Sequence, residues 1–129
     1  MQAFSRDRER KELGKSGEEI AAKFLQKKGY RILERNYRCR LGEIDLVAKK
    51  SGDLLFVEVK TRRSSESVSP PELVDFRKQR QISRAAQHYL AVKKCQDRGA
   101  DFAVLIIDWS KESPSCELIE NAFFLAWGY

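Results

Sequence analysis

The sequence has one histidine, one methionine, three prolines and three cysteines among its 129 residues. Cys39, Cys95 and Cys116 are widely spaced, with no CxxC pair. That argues against a structural zinc site, which draws four ligands from closely spaced cysteine and histidine. An odd number of scattered cysteines is no disulfide framework either, and it fits free thiols in a reducing compartment. No run approaches the ~18 to 20 apolar residues that cross a bilayer. The first 13 residues are charged where a secretory signal would be apolar. There is no glycine-rich phosphate loop. His88 reads as a surface or half-buried helix residue, and Cys39, flanked by Arg38 and Arg40, has no histidine near it in sequence to make it a nucleophile. These absences lead to the expectation of a cytoplasmic domain with no membrane partner.

What is present is an ordinary globular composition, 42% hydrophobic and 10% aromatic, with a formal charge of +6 and a pI near 9.3. A chain of this length buries roughly two-thirds of its unfolded surface, enough for a single core. We read residues 1–13 as a flexible charged tail and 14–129 as one domain. The basic excess is concentrated. Residues 23–40 carry seven basic residues against Glu34 alone, and residues 77–94 carry six with no acid. Residues 99–129 are net acidic. Two readings of the basic segments stand side by side: solvated faces, or surfaces that meet a phosphate backbone.

Hydrophobic periodicity divides the domain. Ser16 can cap a helix from about Gly17, with apolar residues at 20, 21, 24 and 25 and a stop at Gly29. Three strand-like segments follow, Tyr30–Tyr37, Glu43–Ala48 and Leu54–Thr61, with Ile44, Leu46 and Ala48 expected on one face. Lys50-Ser51-Gly52-Asp53 reads as a hairpin turn between the last two. Ser64–Pro71 reads as a loop. Pro71 is expected to open a helix to about Lys94, with Ile82, Ala85, Ala86, Tyr89, Leu90 and Phe76 on its stripe. The unbroken apolar run Phe102–Ile107 predicts a strand covered on both faces. Ser110–Ser115 reads as a turn, and Cys116–Trp127 as a last strand or short helix. The order is that of one α/β domain with a mixed central sheet flanked by helices.

The chemistry-bearing residues lie in the second and third strands. Gly42-Glu43-Ile44-Asp45-Leu46-Val47 puts a carboxylate inside a strand otherwise fit for burial. Phe56-Val57-Glu58-Val59-Lys60 adds a glutamate and a lysine on one face. Such charges are costly unless they are paired, exposed at a cleft or bound to an ion. If the two strands pair through the Ser51-Gly52 turn, Asp45 can sit beside Glu58, and two close carboxylates favour a hard divalent cation. A lysine alongside can orient water or steady charge on a phosphate. Glu18 shares a helical face with Ala21, Ala22 and Leu25 and could reach the same cluster; taken alone it reads as a first-turn carboxylate that complements the helix dipole. Glu19 is expected to lean toward Lys23 and solvent. Lys78 and Gln81, each four residues before a stripe residue, can edge toward the sheet, though a solvated face explains them equally.

The run Gly17-Glu18-x-x-Ala21, Gly29-Tyr30, Asn36-x-Arg38, Gly42-Glu43-Ile44-Asp45-Leu46 and Phe56-Val57-Glu58-Val59-Lys60-Thr61-Arg62 resembles the YraN-like family. That family is similar to archaeal Holliday-junction resolvases and to the wider PD-(D/E)XK nucleases. The resemblance covers roughly residues 14–94. It implies a restriction-endonuclease-like fold and an endonuclease acting on DNA, on branched or otherwise structured substrates. It implies that Asp45 and Glu58 ligate Mg²⁺ or Mn²⁺ with the main-chain carbonyl of Val59, that Lys60 positions the attacking water, and that Glu18 completes the site. Gln81 or Lys78 would be the polar residue on the following helix. Arg38, Arg40, Arg62 and Arg84 are the further residues expected to meet nucleic acid. A homodimer is compatible with the resemblance, with the apolar C-terminal segment as its interface. Ile44 stands where the motif's leading proline would be. A nuclease-like site can also persist in a protein that only binds nucleic acid, and this is the alternative expectation.

Overall fold

The computed structural model describes residues 17–62, 75–94 and 99–120. Residues 17–27 are helical (α1). Strands β1 (Arg31–Cys39), β2 (Gly42–Lys50) and β3 (Asp53–Arg62) follow, then helix α2 (Phe76–Val92), β4 (Ala100–Asp108) and β5 (Ser115–Glu120). The strands form one sheet in the order β1-β2-β3-β4-β5. All neighbours are antiparallel except β3 and β4, which run parallel and flank α2 in the sequence. This is the expected mixed sheet with helices on its faces.

α1 ends as the sequence predicts. Gly29 takes φ +94°, the Tyr30 amide donates to the Leu25 carbonyl at 3.0 Å and the Gly29 amide to that of Gln26 at 3.0 Å. This 6→1 and 5→2 pair closes the helix with a left-handed residue that only glycine adopts without penalty. The hairpin between β2 and β3 is equally local. Ser51 and Gly52 both have positive φ, the geometry of a two-residue turn that matches strand twist.

Two cores pack against the two faces of the sheet. On one, Ile82, Ala85, Ala86, Tyr89 and Leu90 of α2 meet Ile44, Val47, Leu54, Phe56, Phe102, Val104 and Ile106. On the other, Ala21 and Leu25 of α1 meet Leu46, Ala48, Leu55, Val57, Ala103, Leu105 and Ile107. β4 thus alternates between both cores, which is why its whole apolar run is buried.

Three expectations are corrected. Ile44, Leu46 and Ala48 do not share a face: Ile44 joins Val47 in the α2 core, whereas Leu46 and Ala48 face α1. Strict alternation fails at Asp45, where β2 leaves its ladder with β3. Phe76 is not on the α2 stripe but 65% exposed. The helix does not run unbroken from Pro71, because Asp75 is extended (φ −69°, ψ 168°) and caps it by accepting from the Lys78 amide at 2.8 Å. The tail at 1–13, the Ser16 cap, the Ser64–Pro71 loop and the segment beyond Glu120 lie outside the described residues. The dimer interface expected of that last segment lies there with it. No helix among the described residues is long and apolar enough to cross a membrane.

Candidate active site

β2 and β3 are in register from the hairpin up to Leu46↔Val57, and β3 then continues to Arg62 paired with β4. On the other side, the β1–β2 ladder passes from Arg35↔Leu46 to Tyr37↔Ile44, with Asn36 opposite Asp45 in left-handed conformation (φ 53°). A notch therefore opens between β2 and β3, at the C-terminal end of the parallel strands. In open α/β sheets this end is where ligands are received.

Asp45 turns into the notch. Its Oδ2 accepts the Val59 amide at 2.8 Å, so a side chain replaces the backbone acceptor that the interrupted ladder lacks. Burial, and next the nearby Glu58 charge, push the Asp45 carboxyl up to about 7. Glu18 adds to the rise, while the Val59 hydrogen bond and the Lys78 charge oppose it. Glu58 is 6% exposed. One of its oxygens, Oε1, faces two ammonium groups, Lys60 Nζ at 3.5 Å and Lys78 Nζ at 3.9 Å. Glu58 and Lys60 share a strand face, as their spacing predicts, and α2 delivers Lys78 to that face.

Glu18 comes from the opposite side. α1 packs on the other face of the sheet, and Asn36 Nδ2 donates to Glu18 Oε2 at 3.0 Å. Asp45 and Glu58 thus sit at the notch, and Asn36, opposite Asp45, ties Glu18 to its edge from the other face of the sheet. Among the described residues no three His, Cys, Asp or Glu side chains form a ready-made metal cage. Mg²⁺ commonly binds through only one or two carboxylates and keeps several waters. Asp45 and Glu58, with the Val59 carbonyl next to Glu58 in sequence, fit that demand, and a cation there would relieve the repulsion that adds to the rise at Asp45.

The expected nucleic-acid residues are dispersed around this end. Arg38 is paired with Glu43 across β1–β2 at 3.6 Å. Arg40 is exposed in the turn that joins those strands. Arg62 pairs with Asp108 at 3.4 Å, its parallel register partner on β4. Ser110 and Arg62 hold the Asp108 carboxyl below its usual range. Gln81 and Arg84 are exposed on α2. Gln81 is brought to the site's edge by its backbone: a Cβ on Gly42 would stand 2.6 Å from the Gln81 carbonyl oxygen. Gly42 is thus set by close approach rather than by a turn.

Sequence reasoning missed several partners. Glu19 pairs with Arg35, not with Lys23. His88 Nδ1 and the Tyr37 hydroxyl are 2.6 Å apart. Asn36 and Glu18 are 18 residues apart, and the one signal for their meeting was an asparagine in a strand, a residue type enriched in left-handed conformation. A cavity of about 290 Å³ lies elsewhere, lined by Tyr30, Lys50, Asp53 and Glu120 at the hairpin end, remote from Asp45.

Comparison with known proteins agrees on the family. Residues 17–107 match the model of the "Uncharacterised protein family UPF0102". A UPF0102 protein of Geobacter metallireducens is 48% identical over 117 residues, covering 91% of this chain and 96% of the relative. One of Syntrophus aciditrophicus is 45% identical over 115 residues, covering 89% and 91%. One of Geotalea daltonii is 48% identical over 118 residues, covering 91% and 93%. The matched span contains α1, the sheet up to the end of the β4 core, and every residue of the notch, and the chain belongs to the UPF0102 family.

Proposed function

We propose that the protein is a metal-dependent endonuclease that hydrolyses phosphodiester bonds in DNA, with branched or otherwise structured DNA as the preferred substrate. The observation that carries this reading is Asp45. A half-buried aspartate is taken out of the sheet ladder, fixed on the Val59 amide and set against a buried carboxylate with two lysines beside it. Structural ion pairs have no need of two mutually repelling carboxylates.

Asp45, Glu58 and the Val59 carbonyl would hold Mg²⁺ or Mn²⁺, with Glu18 at the outer side. A bound divalent cation supplies Lewis-acid polarisation of the phosphate and a water of lowered pKa. The protein's own groups do the rest. The Val59 amide keeps Asp45 oriented, and burial keeps the carboxylates out of bulk water. Lys60 is placed to donate to the attacking water or a phosphate oxygen, and Lys78 to neutralise charge on the same side. Arg38, Arg40, Arg62, Gln81 and Arg84 would meet the backbone of the nucleic acid around the notch.

The test is cleavage of duplex, single-stranded and four-way-junction DNA by the full chain in Mg²⁺ or Mn²⁺. Asp45→Ala, Glu58→Ala and Lys60→Ala are each expected to lower the rate at least ~100-fold, with circular dichroism unchanged. A wild-type protein that cleaves none of these substrates, or variants that cleave like wild type, would overturn the reading. The ion pairs of Glu58 with Lys60 and Lys78 favour a second reading, a catalytically silent nucleic-acid-binding protein. It predicts salt-sensitive DNA binding that persists, or tightens, in Asp45→Ala without any cleavage.

A further inference from the structure

Asn36 stands out among the residues around the notch. It is in the left-handed region (φ 53°) in the middle of β1, a conformation that is uncommon outside glycine and that interrupts a strand. It lies opposite Asp45, between the pairs Arg35↔Leu46 and Tyr37↔Ile44. Its amide nitrogen donates to Glu18 Oε2 at 3.0 Å, across to the helix on the other face. The neighbouring Arg35 holds Glu19, the next residue of that helix, by an ion pair. Two consecutive residues of β1 thus grip two consecutive residues of α1. Through Asn36, Glu18 is held beside the strand position that lies opposite Asp45.

We infer that Asn36 is a positioning residue that aims Glu18 at the divalent-cation site formed by Asp45 and Glu58. This inference rests on the proposed metal site and adds how the third carboxylate reaches it. Glu18 comes from α1, outside the sheet that carries the other two, so its aim needs a tie between α1 and the sheet. A carboxylate on the second residue of the described helix has free rotamers unless something holds it, and each rotamer fixed beforehand lowers the ordering that binding must supply. An asparagine suits the task because its amide donates to a carboxylate without adding charge. It also tolerates the left-handed backbone that presents it there.

The experiment is titration of the full chain with Mn²⁺ alone, by calorimetry, in wild type, Asn36→Gly, Glu18→Gln and the double variant. Glycine keeps the left-handed backbone and removes only the donor. Asn36→Gly is expected to weaken Mn²⁺ binding by about 10-fold to 100-fold, the range typical of groups that orient a ligand. Glu18→Gln should weaken it at least as much, and the double variant no more than Glu18→Gln, because both act through one carboxylate. Asn36→Ala, which removes the donor without adding charge, should repeat the loss, and it serves if the glycine variant melts early. Wild-type affinity in Asn36→Gly and Asn36→Ala, or losses that simply add in the double variant, overturns the positioning role and leaves the Asp45–Glu58 site standing. A wild-type chain that does not bind Mn²⁺ overturns the metal site itself, and the role of Asn36 with it.

Discussion

At the hairpin end, β2 and β3 stay in register from Lys50↔Asp53 to Leu46↔Val57, turn on two left-handed residues and bury Phe56 against Tyr89 and Phe102. At the other end the same two strands part. The ladder stops, a carboxylate takes the free amide of Val59, and Glu58 is buried among lysines. Composition separates them in part: residues 46–50 and 53–57 hold seven apolar side chains of ten, whereas 42–45 and 58–62 hold only Ile44 and Val59. What separates them further is whether the backbone finds its partner in the sheet. The closed half lowers the free energy of folding. The open half, by burying like charges, raises it, and this is the mark of a segment shaped by something other than stability.

The comparison is broken most severely in the closed half. Phe56→Ala is expected to cost about 3–5 kcal/mol of stability, a fall in midpoint readable by urea titration, while Mn²⁺ affinity of the folded fraction stays unchanged. In the open half the sign reverses. Because the folded protein holds the Asp45 carboxyl up to about 7, above its value in the unfolded chain, the neutral form is the one that folding favours. That contribution is complete below pH ~4 and is lost as pH rises through 7. Metal-free Asp45→Asn should therefore melt above wild type at pH 8, by about 1–3 kcal/mol, with the gap closing toward pH 5. A variant that melts below wild type at both pH values would show that the Val59 hydrogen bond outweighs the charge repulsion. The smallest effect is at the rim. Arg38→Ala removes an exposed pair with Glu43 and should change stability by no more than about 0.5 kcal/mol. The salt dependence of DNA binding should become shallower, as for the loss of one phosphate contact.

Much of the molecule was legible without coordinates. Gly29, the Lys50–Asp53 turn, the Ile82–Leu90 part of the α2 stripe and the doubly buried β4 are all set by local rules of period, cap and turn, and each stands where those rules put it. Asp45, Glu58 and Lys60 drew notice because charge in an apolar strand is costly wherever the strand lies. The face switch at Asp45 was not legible, since alternation holds only while a ladder continues. Nor were the meetings of Asn36 with Glu18, Lys78 with Glu58 or Arg62 with Asp108. Each joins residues at least 18 positions apart through the register of the sheet or the placing of a helix on it.

The Gly42–Gln81 approach has a bearing on the notch itself. There the main chain at the start of β2 rests almost directly on the main chain of α2, one turn beyond Lys78. The gauge of the opening is thus set by a missing methyl group, not by any side chain that lines it. Neighbouring positions such as Arg40 and Leu41 are exposed and released from that duty. A single carbon added at residue 42 would lift the helix, and with it the lysine that faces Glu58.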